Sequence, residues 1–79
     1  MPLYFFHLRD GKDTLIDEEG MDLAGFDEAK AAALRQARDI ISHEARLGRI
    51  DLGQRIDVVD AAGATIYSLR FADAVDVDT

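Results

Sequence analysis

Two histidines are the only imidazoles in this chain, and His7 is the one that sits in a strand-like run. If Asp57 and Ser68 share its sheet face, the aspartate can orient the ring, and a histidine–carboxylate pair can move protons. No serine, cysteine or threonine completes a nucleophilic set around them, and three polar residues on a flat sheet do not make a pocket. The plainer expectation for His7 is a histidine hydrogen-bonded in or near an interface. His43 follows Asp39 by one helical turn, which reads as a weak surface pair rather than a ligand site. Asp17, Glu18 and Glu19, and the C-terminal Asp73, Asp76 and Asp78, can attract a cation. Neither run has the ligand spacing of a calcium loop, so both read as solvated charge. Cysteine is absent, which removes thiolate metal sites. Gly11 and Gly20 stand alone and begin no phosphate-cradling G-x-G-x-x-G run. The residues therefore predict no catalytic, metal or cofactor site, and no enzyme.

The elements that position these side chains follow from periodicity. Residues 3–9 alternate as a strand, and Asp10-Gly11-Lys12-Asp13 supplies a hairpin turn. Residues 14–17 form a short second strand, closed by Asp17-Glu18-Glu19-Gly20. A helix starts near Gly25 or Phe26 and runs to about Leu47. Its apolar stripe is Phe26, Ala29, Ala33, Ala37, Ile40 and Ile41, widened by Leu34. Asp27 and Glu28 favour its N-terminus, where Glu28 can reach back to free amides, and Gly48 supplies the stop. Residues 49–54 connect, with Leu52 tucked under the core. Strands follow at 55–59 and 64–71, around the turn Asp60-Ala61-Ala62-Gly63. The two Asp-x-x-Gly segments share turn chemistry rather than mark a repeat. The expected fold is α+β: a β-β-α-β-β order, a four-stranded antiparallel sheet in spatial order 2-1-3-4, and one helix on one face. Residues 1–72 make a single domain, and 73–79 an acidic, frayed tail.

Alternation then divides the sheet. Tyr4, Phe6, Leu8, Ile56, Val58, Tyr67, Leu69 and Phe71 are the richest apolar set and belong under the helix. Leu3, Phe5, His7, Arg9, Arg55, Asp57, Val59, Ile66, Ser68 and Arg70 face away. This open face mixes apolar side chains with arginines, and its apolar members approach the area at which an exposed patch marks an interface. Three explanations compete for it: arginine stems that shield Phe5 and Val59, homodimerisation, and a peptide- or RNA-binding surface.

Bulk composition narrows the choice. The chain has 79 residues and a net charge of -7, from 16 acids and 9 bases. So small a domain buries only roughly 60% of its chain's surface, and self-association is the helper left once disulfides and metals are excluded. The acidic balance disfavours nucleic acid and anionic membranes and suits a basic protein partner. No basic segment precedes a long apolar run, so the expectation is a cytoplasmic, unprocessed protein apart from loss of Met1. The leading expectation is a non-enzymatic interaction domain that forms a homodimer through Phe5, His7, Val59 and Ile66. Arg9, Arg55, Asp57 and Arg70 complete the candidate face. The alternatives are an antitoxin-like module that binds a small basic protein, and an RNA-binding sheet surface on Arg9, Arg55, Arg70 and Phe5.

The opening Tyr4-Phe5-Phe6-His7-Leu8-Arg9-Asp10-Gly11, then Asp17-Glu18-Glu19-Gly20, an alanine-rich helix, and Ile56-Asp57-Val58 with Asp60 and Gly63, resembles a family of small bacterial proteins. That family carries a domain-of-unknown-function label. The resemblance spans nearly the whole chain, implies no activity and carries over no functional residue. Asp10-Gly11, Asp17 with Gly20, and Glu28-Ala29 also resemble the N-terminal domain of HicB-type antitoxins, which neutralise small basic toxins. Here the sequence departs from that pattern: it lacks a readable third strand before the helix, has Ile16 where a proline is usual, and has no DNA-binding tail.

Overall fold

The computed structural model describes residues 1–78. Strand β1 (Leu3–Asp10) is followed by β2 (Asp13–Leu15), β3 (Met21–Asp22), helix α1 (Phe26–Arg46), β4 (Arg55–Asp60) and β5 (Thr65–Arg70), and a 3-10 turn spans Phe71–Asp73. The sheet order is β2-β1-β4-β5, with β3 also on β1, and every pairing is antiparallel. The expected α+β architecture and strand order are therefore present.

The second strand differs from expectation. Only Asp13–Leu15 pair with β1, and the chain then leaves the edge before β3 returns to it, Leu3 opposite Asp22 and Tyr4 opposite Met21. Two residues of pairing are too few to leave an alternation in the sequence. A third strand does precede the helix, contrary to the sequence reading.

Helix α1 is held by small residues. Ala29, Ala32, Ala33 and Ala37 are buried with Ile41, so the helix axis sits close to the sheet. It packs chiefly on β4, β5 and the 3-10 turn. Phe26, expected in the buried stripe, is exposed at the helix start, where its ring meets Tyr67 edge-on at 5.9 Å. The N-cap Gly25 has no side-chain cap, so acidic Asp27 and Glu28 act on the helix dipole alone. At the other end Gly48 adopts φ +88° and the Arg49 N–H donates to the Glu44 carbonyl, closing the helix with a six-to-one bond.

The core is Tyr4, Phe6, Ile56, Val58, Leu69, Phe71 and Ala74 against the helix alanines and Ile41, with Leu8, Tyr67 and Leu52 packed on it. This is the apolar set assigned to the helix side. Ala74 is only 1% exposed and its carbonyl accepts a 2.8 Å bond from Arg38 Nε, so the chain beyond Phe71 is docked through Ala74 rather than free from residue 73. Gln54 is also buried. Its amide donates to Glu44 and to the Asp51 carbonyl, which anchors the connector between α1 and β4.

Candidate functional site

The open face is laid out in rows by register. Phe5 lies beside Val59, with Thr65 next. His7, Asp57 and Ser68 form the second row, and Arg9, Arg55 and Arg70 the third. Ile66 is not in this array. A bulge between Val58 and Val59 puts Thr65 opposite Val59, and Ile66 packs against the buried core. A bulge inserts one residue and breaks the strict period of two on which the assignment of Ile66 rested.

His7 and Asp57 are neighbours across β1 and β4, but they do not form the expected pair. His7 Nδ1 accepts a 3.1 Å bond from the Asp17 N–H, which places any proton of the neutral ring on Nε2. Its ring lies 6.5 Å from that of Phe5, with the planes 26° apart. Asp57 is 4% exposed and is bound elsewhere: Arg9 Nε donates to one oxygen, and Arg55 Nε at 3.1 Å and Ser68 Oγ at 2.7 Å donate to the other. Burial pushes its carboxyl up. The Ser68, Arg9 and Arg55 hydrogen bonds and the Arg55 charge outweigh burial and hold it below the usual carboxylate range. The two arginines remain partly open to water, with side chains 35% exposed for Arg9 and 50% for Arg55, and Arg9 Nη1 also donates to Thr14 Oγ1 at 3.0 Å. Arg70 turns to Asp73 at 3.1 Å in an exposed pair.

Asp17 is the residue whose role sequence reading missed. One carboxylate oxygen accepts from the Glu19 and Gly20 N–H groups, and the other accepts from the Phe6 N–H in β1. It fills the gap between β2 and β3 and ties the loop to the strand. Burial raises its carboxyl, but the Gly20, Phe6 and Glu19 N–H bonds and nearby His7 win and lower it. The local signal was Asp-x-x-Gly. Asp60 makes the matching turn, accepting from the Ala62 and Ala64 N–H groups, and Gly20 and Gly63 both have positive φ. The cross-strand bond to Phe6 left no such mark.

A second concavity lies on the helix side. It has a volume of about 480 Å³, with Phe6, Leu8 and Ile56 among its floor residues, Ile40 and Gln36 on the helix flank, and Leu15 to Glu19 on the other. Among the described residues, no group of three histidine, cysteine or acidic side chains can hold a metal ion, no ion pair joins His43 to Asp39, and no helix is long and apolar enough to cross a membrane.

Comparison with known protein families gives a match over most of the chain. The pattern of a domain of unknown function, DUF6894, spans residues 3–72. The chain belongs to the DUF6894 family. The matched region of this DUF6894 domain takes in every strand, the helix and both turn aspartates, so the unit is the whole sheet-and-helix body. No curated protein and no solved structure matches it.

Proposed function

We propose that this DUF6894 domain is a non-enzymatic interaction module that pairs with a second copy through its open sheet face. The observation that carries the reading is the sheet layer opposite α1, which no helix covers and whose apolar side chains Phe5 and Val59 are only half-buried. Phe5 and Val59 sit side by side there, next to a salt-bridged knot in which Asp57 is already satisfied by Arg9, Arg55 and Ser68. A buried, fully bonded carboxylate can enter an interface without being stranded, and the one positive charge left by two arginines sharing it rests on guanidinium side chains that are 35% and 50% exposed. Against enzymatic use, His7 Nδ1 accepts from the Asp17 backbone, and the Ser68 hydroxyl in the same row donates to Asp57 rather than to the ring.

Sedimentation of wild type, Phe5→Glu and Leu15→Ser tests this. The reading expects a dimer for wild type and Leu15→Ser and a folded monomer for Phe5→Glu. A monomeric wild type, or a dimer indifferent to Phe5→Glu, overturns it.

A further inference from the structure

The helix is narrower than the sheet it covers. Four strands about 4.8 Å apart make a layer roughly 19 Å wide, and one helix with its side chains covers about 10–12 Å of it. Because α1 packs chiefly on β4 and β5, the uncovered strip lies over β2 and the end of β1 around Leu8, beyond the buried Tyr4 and Phe6. That strip is the 480 Å³ groove. Its floor is apolar, and its outer wall keeps Leu15 70% exposed and Ile16 53% exposed. Leu15 stands opposite Leu8 in register, so its side chain is on the core side of the sheet and has no layer above it.

The walls are acidic. Asp17, Glu18 and Glu19 line the groove, and Gln36 is the polar residue on the helix flank. Beyond the Leu8–Leu15 end, the β1–β2 turn carries Asp10 and Asp13. The Asp51 side chain, by hydrogen bonding and by charge, and the charges of Asp13 and Glu44 raise the exposed Asp10 carboxyl above its ordinary range, so negative charge is crowded there. The whole chain carries a net charge of -7.

We infer that this groove binds a basic amphipathic helix of a partner protein, laid beside α1 with its apolar face on Leu8, Leu15, Ile16 and Ile40 and its lysines or arginines against the exposed Glu18 and Glu19. The strip left free is roughly 7–9 Å wide, close to the about 8–10 Å spacing of packed helix axes, and it is open at the β2 edge, so a second helix fits with its outer side overhanging that edge. The exposed leucine and isoleucine supply anchors, and the acidic wall selects cationic flanks. This surface lies on the opposite side of the sheet from Phe5 and Val59, so it stands or falls apart from self-association.

The probe is a synthetic leucine–lysine peptide with leucines at helical spacing. Its scrambled isomer and a leucine–glutamate analogue serve as controls. Titration into the ¹⁵N-labelled full chain at physiological ionic strength is expected to give saturable shifts at Leu15, Ile16, Gln36 and Ile40. Glu18→Lys/Glu19→Lys, and separately Ile16→Lys, are expected to weaken binding by roughly tenfold or more, and Phe5→Glu to leave it unchanged. Both wall variants alter exposed side chains, and their amide spectra report whether the fold is kept. Equal binding of the scrambled isomer, shifts spread over the acidic surface without saturation, or groove shifts that appear on concentrating the protein alone would each overturn the inference. The last of these would make the groove a contact between copies.

Discussion

Replacing Asp57 with alanine is the perturbation whose size can be worked most fully from the structure. The substitution removes a carboxylate that is 4% exposed and takes away acceptors from Arg9, Arg55 and Ser68. Breaking a buried ion pair from one side costs roughly 3–5 kcal/mol, because a charge is stranded in a dry place. Here the stranded charges have an escape, since the Arg9 and Arg55 side chains are 35% and 50% exposed. The cost then falls toward that of lost charged hydrogen bonds, about 2 kcal/mol at pH 7. For a domain this small that corresponds to a fall in Tm of roughly 10 °C. The pH dependence has a definite sign. The folded carboxyl lies below its ordinary value, so its contribution is fully present above about pH 4 and is lost as the pH falls through the folded pKa. Urea unfolding of both proteins, followed by circular dichroism at fixed protein concentration from pH 7 to pH 2, should show two stability curves that converge at the acid end. Asp17 is common to both proteins and cancels in the difference. A gap at pH 7 below about 0.5 kcal/mol, the scatter of a neutral surface change, or one that persists unchanged at pH 2, would show that the Asp57 carboxylate does not stabilise the fold through these arginine and serine bonds.

Three further outcomes follow from the same geometry. Gly20→Ala should destabilise by about 2 kcal/mol or more and Gly63→Ala by about 1, because both have positive φ but a Cβ at Gly20 would stand 3.0 Å from the Tyr4 carbonyl oxygen and the Phe5 ring while one at Gly63 meets open space; chemical denaturation gives the ranking, and equal costs would contradict it. Asp17→Ala should speed hydrogen exchange at the Phe6 amide more than at Val58, since it removes the Phe6 N–H acceptor, and should cost about 1–2 kcal/mol by denaturation. Arg38→Ala should loosen the segment after Phe71, read as faster proteolysis near Ala74, because it deletes the bond from Arg38 Nε to the Ala74 carbonyl.

The parts of the fold written in local pattern were legible, and those made by distant partners were not. Alternation in β1 and β4 sorted Tyr4, Phe6, Ile56 and Val58 from Phe5, His7, Asp57 and Val59, because one face must be dry. The alanine-rich helix and its Gly48 stop were equally direct. Ile66 was misplaced because a bulge is a single inserted residue with no compositional sign. The His7–Asp57 pair was inferred correctly as a neighbour relation, but hydrogen bonding followed stronger donors: the arginines took Asp57, and the Asp17 backbone took His7. The groove escaped notice because it depends on where the helix lies across the sheet. Burial of Ala74 depends on the Arg38 contact, thirty-six residues away in sequence.

The most direct test of the central claim is an isotope-filtered NOE experiment on a sample mixed from labelled and unlabelled protein. Pairing through the open face predicts intermolecular contacts from the Phe5 ring and the Val59 methyls. A protein that is monomeric at the concentrations of that experiment, or a dimer whose contacts fall at the β5 edge or at Leu15 and Ile16, would contradict it.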